Sequence, residues 1–180
     1  MTNAKTTIIT LFLLTLFGCA SSLDIEKFKA SIETQEKNGP HTISRCVYIP
    51  FKYERQVERP FSHCAYIQNP TGFYLYTRNK ETQNYQETHA IPYESIGCAI
   101  HYKNGPLKGV IALLTNSQMF YINLLAPSQD TANQQARNQA LTGLKDHDIK
   151  IYEYESKASS PLLTYEFKLN YFCTKTGKSK

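Results

Sequence analysis

The sequence predicts an α+β fold class: a mainly antiparallel sheet packed by two helices and braced by two disulfides. Three observations carry it. Residues 162–173 alternate Leu163, Tyr165, Phe167, Leu169, Tyr171 and Cys173 against Thr164, Glu166, Lys168 and Asn170, the period of two expected of a strand with one buried face. Residues 24–37 and 128–146 instead carry apolar side chains at helical spacing. Once Cys19 is set aside, Cys46, Cys64, Cys98 and Cys173 remain, and an even number of thiols in an exported chain reads as two bridges.

Export is predicted by the first element. Residues 8–17 are a short apolar run behind a head whose one charge is Lys5, too short and too weakly flanked to span a bilayer as a permanent helix. The run ends in Leu16-Phe17-Gly18-Cys19, which resembles the lipobox of bacterial lipoproteins. The resemblance implies that residues 1–18 are a signal peptide and that Cys19 becomes the first residue, carrying a diacylglyceryl group and palmitate-class acyl chains. It also implies outer-membrane sorting, because Ala20 and not aspartate follows the cysteine. Two or more acyl chains make such an anchoring stable without a spanning helix. Residues 19–23 would then form a lipidated tether, and residues 24–180 a single domain that faces the periplasm.

Within that domain Ile25, Phe28 and Ile32 define a narrow helical stripe, with Asp24 as a cap and Asn38-Gly39-Pro40 as a stop, so this helix is expected to lie on a sheet. Residues 44–49, 61–68 and 73–77 read as strands, with Asn69-Pro70-Thr71-Gly72 turning the chain between the last two. The polar residues 78–89 read as a surface loop. Residues 95–102 alternate again, with Cys98, Ile100 and Tyr102 on one face and Gly97, Ala99 and His101 on the other. Residues 110–114 are apolar without interruption, as in a strand covered on both faces, and 119–125 return as its hairpin partner. In the helix at 128–146, Ala132, Ala136, Ala140 and Leu144 recur four apart, and strands at 149–155 and 162–173 follow. There is no internal repeat. The sequence permits three cysteine pairings. Position on the predicted strands favours Cys46 with Cys64 and Cys98 with Cys173.

The order of 91–96, a strand, Gly105-Pro106-Leu107-Lys108-Gly109, a strand pair and the 128–146 helix resembles the second half of bacterial PH-like domains, from which two strands after the helix depart. No lipid-binding site is carried over from that resemblance.

Charge and motifs narrow the function. Nineteen basic residues against fifteen acidic follow the leader, a net +4, and they are dispersed singly rather than gathered on one face, which argues against nucleic acid as a partner. His63 and Cys64 could join Cys46 and Cys98 as soft metal ligands, but the paired close spacing of structural zinc sites is missing. No Gly-x-Ser-x-Gly elbow occurs. Glu153 with Glu155 and Asp146 with Asp148 fit solvated faces better than paired catalytic carboxylates. His101, Tyr102 and Lys103 fit a strand end beside a turn. No cofactor is expected. Thirteen tyrosines with no tryptophan stand out, and Tyr74, Tyr76, Tyr152 and Tyr154, each opposite a more apolar set, are the candidate partner-binding residues. The resulting expectation is a membrane-anchored lipoprotein that binds an envelope or incoming protein, as an accessory, inhibitor or immunity factor. The competing expectation is a periplasmic hydrolase acting on cell-wall or lipid substrate.

Overall fold

A computed structural model describes residues 27–28, 32, 42–52, 62–105, 107–126 and 131–155. Its centre is one eight-stranded sheet of β1 (Thr42–Lys52), β2 (Ser62–Asn69), β3 (Gly72–Arg78), β4 (Tyr85–Pro92), β5 (Ile96–Tyr102), β6 (Ile111–Thr115), β7 (Gln118–Leu125) and β8 (Ile151–Tyr154). The order across the sheet is β4-β3-β2-β1-β7-β6-β5-β8. A 3-10 turn at Tyr93–Ser95 joins β4 to β5, and α1 (Gln134–Asp146) joins β7 to β8.

The sheet is mainly antiparallel, as expected, with one parallel pair, β8 beside β5; the expected fold class is corrected in its helices and its disulfides. A helix between two strands returns the chain to the end from which it started, so the strand after α1 points the same way as the one before it. Among the described residues there is one complete helix and not two; of the helix expected at 24–37, Lys27 and Phe28 are helical and the remainder lies outside the described residues except Ile32. One disulfide, Cys46–Cys64, has both halves among them instead of two. The strand expected at 162–173, with Cys173, also lies outside.

The pleat sorts side chains as the alternation requires. Cys46 and Tyr48 of β1, Tyr66 of β2, Phe73 and Leu75 of β3, Ile111 and Leu113 of β6, and Phe120 and Ile122 of β7 share the main core with Ala136, Ala140 and Leu144 of α1. The opposite face of β5–β7 forms a second apolar cluster of Cys98, Ile100, Tyr102, Ala112, Leu114 and Met119. The unbroken run in β6 is thus divided between two buried faces. On the other half of the sheet, Phe28 and Ile32 bury themselves against Ala65, Ile67 and Tyr76. They are two of the three residues of the predicted stripe and rest on the sheet; Ile25 lies outside the described residues.

Two local departures have clear causes. Residues 85–89, expected in a loop, belong to β4, an edge strand that exposes Gln86, Glu87 and Thr88. An edge strand needs little apolar surface, and charge on it discourages pairing with other chains. The helix expected from residue 128 begins at Gln134, because the Asn133 side chain accepts a hydrogen bond from the Ala136 amide and caps it, while Ala132 bridges to Leu125.

The sheet curls upon itself. His89 of β4 lies 5.3 Å from the Tyr48 ring of β1 and 5.1 Å from the Phe120 ring of β7, although three strands separate β4 from β7. Burial lowers the His89 pKa, so the folded protein favours its neutral ring. With the folded pKa below the unfolded one, the stability tied to this ring is fully present above about pH 6.5 and is lost as pH falls through the lowered value. The urea midpoint should therefore drop between about pH 7.5 and pH 5. His89→Phe, which keeps an aromatic ring in place, should flatten that slope, and an unchanged slope would contradict this role for His89.

Candidate functional site

The start of β1, the β2–β3 turn, the 3-10 turn and the second half of α1 converge around a cleft of about 440 Å³. Thr42, Gln68, Asn69, Tyr93, Gln139, Gly143, Asp146 and His147 line it. Tyr93 is the centrepiece. Pro92 ends β4 in an extended conformation, and the Tyr93 amide donates to the Thr71 carbonyl at 3.1 Å, which turns the ring inwards. The ring stacks on His147, with centroids 3.8 Å apart and planes 13° from parallel, and meets Phe73 edge-on at 5.1 Å.

A polar chain fixes this aromatic pair from below. Gln68 Nε2 donates to the Tyr93 hydroxyl at 2.8 Å and to the Gln139 carbonyl at 3.1 Å, and the Tyr66 hydroxyl donates to Gln68 Oε1 at 3.2 Å. Thr42 Oγ1 donates to Gln139 Oε1 at 2.8 Å. His147 Nδ1 lies 2.9 Å from the Gly143 carbonyl, which ties the stacked ring to the last turn of α1. Gly143 makes the arrangement possible: a Cβ there would overlap both Gln68 Nε2 and the Tyr93 hydroxyl. Burial raises the Tyr66 and Tyr93 pKa values, and the nearby Asp146 charge adds to the rise at Tyr93 while the Gln68 hydrogen bond opposes it. Both phenols therefore stay neutral. The Asn69 carboxamide is committed to its own turn, accepting from the Thr71 amide at 2.9 Å and the Thr71 hydroxyl at 2.7 Å. The cleft thus offers a flat aromatic surface, neutral amide and hydroxyl groups, and one carboxylate, a set suited to stacking and hydrogen bonding.

The sequence-predicted residues fall elsewhere. Cys46 and Cys64 are paired directly across β1 and β2 and joined by a disulfide. Cys98 is also disulfide-bonded, and its partner lies outside the described residues. These bonds leave none of the three sulfurs as a thiolate ligand, and no group of three metal-ligating side chains occurs among the described residues. Cys19 and Cys173 lie outside the described residues. Tyr76 is buried edge-on against Phe28 at 5.2 Å, and the Tyr74 hydroxyl lies 2.6 Å from Thr71 Oγ1. Tyr152 lies under the Lys150 ammonium at 4.7 Å, and Tyr154 packs edge-on to Tyr102 at 5.4 Å. In the order of the sheet, five strands lie between β3, which carries Tyr74 and Tyr76, and β8, which carries Tyr152 and Tyr154. Of the carboxylates, Glu153 pairs with Lys103 at 2.7 Å, Asp146 lines the cleft, and Asp148 lies in the turn beyond α1. Gln68, Tyr93 and His147 belong to no sequence motif. Gly143, an isolated glycine inside a helical pattern, was the one signal pointing to them.

The sequence matches no family model, and no curated protein matches it. Among solved structures, the activated truncation of Vav1 aligns at a TM-score of 0.46 and 11% identity, over 68% of this chain and 31% of that one. Vav1 with an allosteric inhibitor gives 0.45 and 10% over the same shares. The hSac2 domain of the human phosphoinositide phosphatase Sac2 gives 0.40 and 13%, over 89% of this chain and 97% of that domain. This chain spans less than a third of those Vav1 chains. At such TM-scores these likenesses carry no argument. Among the described residues β8 follows α1, one of the two strands expected after the helix. No helix among the described residues is long and apolar enough to cross a membrane.

Proposed function

We propose that this protein is an outer-membrane lipoprotein, anchored through acylated Cys19, whose periplasm-facing domain binds another protein through the Tyr93–His147 cleft. The leader, the cysteine at its end and the oxidised sulfurs support the location. The observation that carries the binding role is the stacked Tyr93–His147 pair, in which the buried Tyr93 ring, fixed by Gln68, backs the exposed His147 ring at the cleft. Two rigid rings flanked by neutral hydrogen-bonding groups bind at little entropic cost, because few rotamers must be frozen. The partner is an envelope protein served by an accessory factor, or an incoming enzyme met by an inhibitor.

The test is photocrosslinking in intact cells, with benzoylphenylalanine placed at Thr142 on the cleft or at Glu81 on the distant β3–β4 loop. A discrete adduct is expected from position 142, absent from position 81 and lost in Tyr93→Ala. Adducts of equal yield from both positions, or an adduct indifferent to Tyr93→Ala, would remove the cleft from the binding surface.

A further inference from the structure

The C-terminal end of α1 opens into the Tyr93–His147 cleft, and the charges there select the kind of group the cleft receives. Among the described residues that line it there is one carboxylate, Asp146, and no lysine or arginine. Asp146 is the last residue of α1 and Asp148 follows in the turn, both exposed. A helix C-terminus already carries partial negative charge, so acidic side chains cost free energy there and a cation is favoured. After burial, the Asp146 charge is what raises the Tyr93 pKa, so this carboxylate acts on the aromatic pair itself. Exposed Glu94 follows that tyrosine in the 3-10 turn. The cations on the same stretches of chain are engaged elsewhere: Lys145 acts on Glu153 of β8, Lys150 lies 4.7 Å from the centre of the Tyr152 ring, and Arg137 is buried against Gly109.

Geometry narrows the cation. His147 Nδ1 lies 2.9 Å from the Gly143 carbonyl, and a carbonyl only accepts, so Nδ1 carries the hydrogen and Nε2 of the neutral ring is left as an acceptor. Tyr93 covers one face of that exposed ring at 3.8 Å, which leaves the other face for a ligand. An aromatic face, an acceptor nitrogen and a carboxylate on the adjacent residue match a planar cation with several in-plane donors. A guanidinium stacks on the imidazole and donates to Asp146. An ammonium is a compact, strongly hydrated charge with no plane to stack.

We propose, resting on the protein-binding reading of this cleft, that the group it receives is an arginine side chain of the partner, stacked on His147 and paired with Asp146. The full chain is titrated with Nα-acetylarginine methylamide, with the lysine and citrulline analogues as parallel arms at constant ionic strength. Nuclear magnetic resonance follows the backbone amides of Thr142, Gly143 and His147. The arginine probe should shift them to saturation, the lysine analogue should bind about threefold more weakly or worse, and neutral citrulline about tenfold more weakly or worse. Asp146→Asn, at an exposed position, should weaken the arginine probe by about tenfold. Amides unmoved by the arginine probe, or moved equally by the lysine or citrulline analogue, overturn the proposal, as does undiminished affinity in Asp146→Asn. Photocrosslinking from position 142 separates this inference from the reading it rests on. An adduct that persists at full yield in Asp146→Asn sinks the arginine and leaves protein binding in place. Absence of any adduct sinks protein binding, and the probe titration then decides whether the cleft takes a guanidinium.

Discussion

Replacing Cys46 and Cys64 together by alanine is expected to lower the unfolding free energy by about 3 kcal/mol, the largest effect of any change considered for this protein. The bridge closes a separation of 18 residues, and chain entropy released in the unfolded state sets the size of that loss. Position adds to it. The two residues face each other directly in the β1–β2 register, and both sulfurs lie in the main core, where Cys46 is 1% and Cys64 8% exposed. Urea unfolding in oxidising buffer should show a lower midpoint and a steeper slope, because an unbridged chain exposes more surface when it opens. A loss under about 1 kcal/mol would mean that the strands hold their register without help from the bridge.

Gly143→Ala carries the second largest effect, and its sign is diagnostic. Inside an ordinary helix this change stabilises by about 1 kcal/mol. Here the new methyl group would occupy the space of Gln68 Nε2 and the Tyr93 hydroxyl. Neither can retreat cheaply: Gln68 is held by Tyr66, Tyr93 and Gln139, and the Tyr93 ring is clamped between Phe73 and His147. The expected outcome is a net destabilisation of about 1–3 kcal/mol, read from thermal or urea unfolding, together with loss of the crosslink at position 142. An alanine variant more stable than the natural protein would show that the amide and the phenol have room to move, and the cleft would no longer be a fixed feature.

What the sequence disclosed follows from which signals are local. Strand faces were legible wherever the alternation was set by large apolar residues, as in Cys98, Ile100 and Tyr102 of β5, which share one cluster while Ala99 joins the other. Phe28 and Ile32 were recognisable as buried apolar positions for the same reason. Strand β4 escaped notice because Gln86, Glu87 and Thr88 bury nothing, and an edge strand is defined by its neighbour's hydrogen bonds rather than by its own polarity. The parallel sense of β8 was equally hidden, since direction depends on where α1 delivers the chain. The cleft is the least local feature of all: Thr42, Gln68, Tyr93 and His147 come from four separate stretches and share no spacing that chemistry would demand. The tyrosines chosen from the sequence illustrate the converse, since Tyr76 has the composition of a contact residue and the environment of a core residue.

Location, oxidation and role all depend on the proposed acylation of Cys19, and the intact mass of the protein extracted from its native cells tests it most directly. The account predicts a chain beginning at Cys19 whose excess mass equals a diacylglyceryl group with its fatty acids, and which takes up labelled palmitate. A chain that begins at Met1, or one that begins near Cys19 with an unmodified thiol, would contradict it.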